Sequence, residues 1–154
     1  MQTSSSLDGS TSSQHPPREV AVFVHRGDRL LILHRVREDY WHVVAGSLEK
    51  GEAFADAAAR ELREETGLVA IPIDLRLEQA YAISEREQPL YPPGTTGVVI
   101  GNFHVYAPEG WEPVLNEEHD RHDWVPFDVA RELMYWLETQ EAIDLLAGRL
   151  RTRA

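Results

Sequence analysis

GSLEKGEAFADAAARELREETGL, residues 46–68, crowds Glu61, Glu64 and Glu65 into five positions between an arginine and a glycine. Residues 53–66 are rich in Ala, Leu, Glu and Arg, all strong helix formers, and Gly67 supplies a left-handed stop, so the stretch is expected as one helix. At about 100° per residue the three carboxylates fall within an arc of roughly 100° and form one acidic face. Ala55, Ala58, Ala59 and Leu62 occupy a neighbouring arc, small enough to let the helix lie close on a sheet. Like charges at i,i+3 and i,i+4 destabilise a helix by about 0.2–0.5 kcal/mol per pair, more when desolvated, so something positive is needed beside them. Arg60 is one guanidinium against three carboxylates. A hard divalent cation such as Mg²⁺ takes carboxylate oxygens directly, and groups one turn apart can share or bridge such ions. ELREE alone, however, is also an ordinary solvated helix surface, so the decision needs the flanking positions.

Upstream, EVAVFVHR (19–26) and RLLILHRV (29–36) are apolar and β-branched, with Gly27-Asp28 between them as a hairpin turn. REDYWHVVAG (37–46) reads as a loop and one short strand. Downstream, residues 69–84 and 95–108 read as long strands separated by the Pro-containing surface loop EREQPLYPPG (85–94). A late loop, EEHDRHDWVPF (117–127), leads into helices near 127–136 and 138–150, with apolar positions Val129, Ala130, Leu133, Leu137, Ile143, Leu146 and Leu150 facing a sheet. Residues 1–17, rich in Ser and Thr with almost no large apolar side chains, are expected as a flexible tail, and 18–154 as one domain. The layout is α+β: strands first, one helix in the middle, helices last.

The chain has 154 residues, 42% hydrophobic and 27% charged, the composition of one globular domain. A formal net charge of −11 repels a phosphate backbone, and no basic run tracks one, so nucleic acid polymer is excluded as a partner. The absence of cysteine removes disulfides, thiolate metal sites and thiol nucleophiles. No apolar run approaches the roughly 20 residues that span a bilayer, so no membrane partner is expected and the default location is the cytoplasm.

The longer stretch resembles the Nudix box: Gly46, five residues, Glu52, seven residues, Arg60-Glu61-Leu62, one residue, Glu64-Glu65, one residue, Gly67-Leu68. Every position is filled. The resemblance implies a Nudix fold over about residues 18–150, a mixed β-sheet sandwiched between α-helices. It also implies hydrolysis of a phosphoanhydride in a small nucleotide-like di- or triphosphate, with Mg²⁺ or Mn²⁺ as cofactor. Physical chemistry agrees: an acidic site accepts a polyanion only through cations that neutralise both, and these also lower the pKa of an attacking water.

Carried onto this chain, the resemblance gives Glu61, Glu64 and Glu65 as inner metal ligands, with main chain at Ala45 or Gly46 adding an oxygen where Gly46 allows a tight loop. Arg60 joins Glu61 and Glu64 in the catalytic set. Glu52, two turns from Arg60, would pin the loop to the helix, and Gly67 caps it. Glu118, ahead of Trp124, resembles a late carboxylate that some family members use as ligand or general base, so the base is Glu61 or Glu118. His119 and His122, spaced i,i+3, read as polar loop residues rather than ligands.

The substrate is less legible. Tyr40, Trp41, Tyr81, Tyr91 and Phe103 are available to stack on a ring, without a ranking. WHVVAGSLEKGE lacks the Pro-Gly-Gly frequent before the box and is similar to the branch acting on dihydroneopterin triphosphate and (d)NTPs. The Pro-Gly of the ADP-ribose subgroup, expected about 16 residues past the box, arrives only at Pro93-Gly94, which demotes ADP-ribose, and an ADP-ribose or nucleotide-sugar pyrophosphatase stays as an alternative. The leading expectation is a pyrophosphohydrolase releasing monophosphate and pyrophosphate from a triphosphate, with a homodimer left open. A ligand-sensing module on the same fold would carry a damaged box, and an acidic interaction module would bind no metal.

Overall fold

The structure, a computed structural model, describes residues 17–153, so the expected tail at 1–17 lies outside the described residues except for Pro17. The strands are β1 (Arg18–Arg26), β2 (Arg29–Arg35), β3 (Tyr40–His42), β4 (Val44–Ser47), β5 (Ile73–Ala82), β6 (Gly97–Tyr106) and β7 (His119–Pro126). The helices are α1 (Phe54–Thr66), α2 (Phe127–Leu133) and α3 (Leu137–Arg153). The strands form a seven-stranded mixed sheet in the order β3-β2-β1-β6-β5, with β4 paired to β1 and β7 to β2. β1 and β6 run parallel, whereas β1–β2, β1–β4 and β5–β6 are antiparallel.

Side-chain alternation along β1 and β2 divides the core in two. Val20, Val22, Val24, Leu31 and Leu33 point to one face, where Ala57, Ala58 and Leu62 of α1 meet them. Ala21, Phe23, Leu30 and Ile32 point to the other, where Ala130, Ala142, Ile143 and Leu146 of α2 and α3 cover them. Helices on both faces of the sheet give the α/β/α sandwich that the α+β expectation named. α1 lies close because its sheet-facing residues are small and because Gly101 on β6 receives the Phe54 ring: a Cβ there would lie 2.6 Å from Phe54 Cδ1. Gly67, at φ 81°, ends α1 with its N–H donated to the Arg63 carbonyl at 2.9 Å.

β1 pairs with β2 only near the hairpin, at His25 and Arg26. Its first half, Glu19 to Val22, pairs instead with β4. The chain crosses from one partner to the other at Val43, so 37–46 makes two short strands where one was expected.

Other boundaries moved for physical reasons. Residues 119–126, read as part of a late loop, form β7 along nearly the whole of β2. Its polar side chains hid the strand because they are satisfied laterally: Asp120 accepts from His34 at 2.8 Å, and Glu112 accepts from Trp124 Nε1 at 2.8 Å. α2 ends at Leu133 and α3 starts at Leu137, shorter and longer than expected, with Met134 buried between them. Val129, Leu133 and Leu137, expected to face the sheet, are exposed. Ala55 is exposed, and Ala57 takes the buried position instead. Among the described residues, no helix is long and apolar enough to cross a membrane.

Candidate active site

The acidic turn of α1 and the β4 strand meet at Arg60. Its Nε and Nη2 donate to Glu52 at 2.8 Å each, and Nη2 also donates to the Ser47 carbonyl at 3.0 Å. This bidentate clamp ties the 47–52 loop to the helix. Arg60 beside it holds the Glu52 carboxyl down to about 2. The remaining Nη1 contacts Glu61 Oε2 at 3.1 Å and Glu64 Oε1 at 3.3 Å. Arg60 thus shares its single positive charge among Glu52, Glu61 and Glu64, three of the four box carboxylates.

Glu65 is relieved differently. Its side chain is 1% exposed. Burial, then the Glu61 carboxyl, then Glu118 push its pKa up to about 9. Burial also raises Glu61. The Ala45 N–H donates to Glu65 Oε1 at 3.4 Å. Gly46 lies in strand β4, paired with Val20, rather than in a tight loop. It is glycine for a different reason: a Cβ there would collide with the Glu61 carboxyl, whose farther oxygen would be 2.8 Å away. The strand therefore presents bare main chain to Glu61. Glu118, in the turn before β7, lines the same cleft as Glu61 and Gly46.

His119, read as a loop residue, is buried at the start of β7, with Nε2 3.9 Å from Glu65 Oε1 and neither ring nitrogen hydrogen-bonded. His42 Nδ1 is likewise unpartnered. His122 accompanies Glu112 at 3.1 Å and belongs to a different cluster.

Do these residues fit a divalent cation? The donors are hard oxygens, and a buried carboxylate cluster that must keep Glu65 neutral is the arrangement a cation would complete. Among the described residues, no three acidic or histidine side chains converge as ready-made ligands. Arg60 explains this, since it stands between Glu61 and Glu64. The chemistry fits, and binding would require the Arg60 Nη1 contacts to give way and Glu65 to ionise.

The cleft, about 480 Å³, wraps over β4 from Glu61 and Gly46 to the α3 side of the sheet. At that far end it is walled by Tyr40, Tyr81, Tyr91 and Trp136. The structure therefore sorts the aromatic candidates. Tyr40, Tyr81 and Tyr91 line the cleft, while Phe103 is buried in the α1-side core. Trp41 packs against His34 at 5.3 Å with the Arg121 guanidinium 5.6 Å from its ring. Sequence reading missed Trp136, absorbed into a helix that stops earlier, and Glu19 and Arg35, which carried no signal beyond their strands.

Ionisation of the metal-free protein can be tested by itself. Burial, then a positive neighbour, lowers His25 (beside His104), His42 and His119 (both beside Arg35) to about 4. The unfolded value is about 6.5, so the unfolded chain binds these protons more tightly. Their stabilisation is complete above pH 6.5 and is lost as pH falls toward 4. Glu65, shifted upward, acts oppositely between its unfolded value and about 9. Burial likewise lowers His104 and raises Glu61 and Glu19, so four histidines act against three carboxylates, and denaturant unfolding in chelator should show a net loss of stability between pH 7 and 5. A flat or rising profile would contradict it.

Against known families, a model described as the NUDIX domain matches residues 15–146. The octanoyltransferase of Myxococcus xanthus is 35% identical over 134 residues, 83% of this chain and 36% of that protein. The 8-oxo-(d)GTP phosphatase of Mycolicibacterium smegmatis is 31% identical over 119 residues, 77% of this chain and 33% of that protein. The chain thus spans about a third of the length of both relatives. The solved structure of the E. coli dihydroneopterin triphosphate pyrophosphohydrolase superposes with a TM-score of 0.77 at 27% identity, covering 86% of this chain and 95% of that one.

Proposed function

Since the chain belongs to the Nudix hydrolase family, we propose that it cleaves a nucleoside triphosphate or related triphosphate, with Mg²⁺ or Mn²⁺, into monophosphate and pyrophosphate. The observation that carries this reading is a cleft that joins an aromatic end to Gly46 and Glu61 of the box and to Glu118. One end suits a planar ring and the other the charged tail.

Glu61, Glu64, Glu65 and Glu118, with main chain at Gly46, would hold the cation; when bound, it neutralises the polyphosphate and makes a water molecule nucleophilic near pH 7. The chain's own groups do the rest. Arg60, fixed by Glu52 and the Ser47 carbonyl, holds the helix face at a set distance from β4 and orients Glu61. Arg35 lines the cleft as a positive group facing the tail. Glu61 or Glu118, both in the cleft wall, takes the proton of the attacking water; burial has already raised the proton affinity of Glu61.

Names borne by relatives support a triphosphate. One is an 8-oxo-(d)GTP phosphatase and another a dihydroneopterin triphosphate pyrophosphohydrolase. ADP-ribose would require room for a second sugar beyond the diphosphate, and one aromatic end does not favour it. The test is a substrate panel with Mg²⁺ in which pyrophosphate and orthophosphate are quantified separately. Pyrophosphate from triphosphates is expected; paired monophosphates from ADP-ribose, with triphosphates untouched, would overturn the proposal.

A further inference from the structure

The far end of the cleft contains a charge with no role in hydrolysis. Glu19 opens β1 and shares the side of the sheet taken by Ala21 and Phe23, opposite to α1. Its Oε1 accepts from the Tyr81 hydroxyl at 3.2 Å and its Oε2 from the Tyr91 hydroxyl at 3.3 Å. A carboxylate there is costly: burial, opposed by the two tyrosines, raises its pKa. No Lys, Arg or His pairs with it among the ion pairs of the described residues. The neighbouring amides are already used inside the protein. Asn102 Nδ2 donates to the Leu77 carbonyl and Gln79 Oε1 at 2.9 Å each, and Gln79 Nε2 donates to the Glu138 carbonyl at 2.9 Å.

We propose that Glu19 determines specificity: its two oxygens, each with a lone pair left beyond the tyrosine contact, accept adjacent ring N–H and amino donors of a 2-amino-4-oxopyrimidine edge. This rests on the triphosphate reading of the same cleft.

The argument is one of matching donors to acceptors. An ionised carboxylate only accepts. It repels phosphate, so the tail is directed toward the cation-binding end. Adenine and cytosine place a ring-nitrogen acceptor beside their amino group. Uracil flanks its single N–H with two carbonyls. Hypoxanthine has the ring N–H but no amino group. Guanine and pterin rings alone among these present N–H and NH₂ side by side, the geometry that a carboxylate accepts in bidentate fashion. The aromatic walls then cover the ring faces. Tyr81 and Tyr91 hold the carboxylate at a fixed angle, so little side-chain freedom is lost when the ligand arrives.

The experiment is steady-state kinetics with Mg²⁺ on dGTP, dihydroneopterin triphosphate, dITP and dATP, using the wild type and Glu19→Gln, with melting temperature as the folding control. Wild type should favour dGTP, dihydroneopterin triphosphate or both over dITP by about 10–100-fold in kcat/KM, the effect of one charge-assisted hydrogen bond lost. Whichever of the two is faster identifies the ring system. Gln puts an NH₂ against one of the ligand donors, so Glu19→Gln should bring the ratio to dITP close to one, mainly through KM. No triphosphate turnover by the wild type would sink the function proposed above. Turnover with equal dGTP, dihydroneopterin triphosphate and dITP rates, or a ratio unmoved in the variant, would sink the role of Glu19 alone. The wild-type comparison needs no variant, so it can still overturn the proposal if Glu19→Gln folds poorly, and Glu19→Asp, which keeps the charge but withdraws it by one methylene, then gives the second reading of the ratio.

Discussion

Glu65→Gln should lower Mg²⁺-dependent kcat/KM by about 10²–10³-fold, the scale of losing one preorganised charged group at a reacting centre, without harming the metal-free fold. Glu65 is 1% exposed, and burial together with Glu61 and Glu118 pushes its carboxyl up to about 9. Near pH 7 the metal-free protein therefore keeps it neutral, and Gln copies that neutral form in size and shape. Only when a cation arrives must the group ionise, and Gln cannot. Two measurements separate this from simple damage. Melting temperature in chelator should be unchanged or raised in the variant, and the rise that Mn²⁺ gives the wild type should shrink. Unimpaired turnover in Glu65→Gln would remove Glu65 from the proposed ligand set. Glu64, more exposed and touching Arg60 at 3.3 Å, invites the same substitution as a companion.

Gly46→Ala is the second large effect. Its backbone is an ordinary strand paired to Val20, so alanine brings no conformational penalty there. The added Cβ would overlap the Glu61 carboxyl, which must swing away and disturb the 3.1 Å contact with Arg60. Displacing a reacting group by about 1 Å is enough for a loss of about 10²-fold in kcat. The readout is kcat at saturating substrate, beside a far-ultraviolet spectrum that stays constant because β4 keeps its ladder. Wild-type kcat in this variant would mean that Glu61 need not stand against β4.

How much of this was legible beforehand can be argued residue by residue. The helix at 53–66 and the 19–36 hairpin were readable because local chemistry decides them: helix formers ending at Gly67, and apolar runs around Gly27-Asp28. β7 was not, because its polar side chains are satisfied by His34 and Glu112 on other segments, which no periodicity encodes. The carboxylates of the box were readable as a group, but their individual states were not. Glu65 is buried, Glu64 is exposed and Glu61 lies between because α1 is rotated by packing Ala57, Ala58 and Leu62 on the sheet. Gly46 was singled out for a backbone freedom it does not use, since its neighbour across space, Glu61, is 15 positions away. Trp136 escaped notice because a helical pattern carried through the break at Met134.

The split pairing of β1 has one more consequence. Glu61 rides on the side of the sheet covered by α1, while Glu19, Tyr81 and Trp136 lie toward the α3 side, and the cleft joining them passes over the bare backbone of β4 at Gly46. On the proposed reading, scission and ring selection would be mounted on separate halves of the sandwich. Substitutions at Glu19, Tyr81 or Trp136 would then retarget the protein without touching the acidic face of α1.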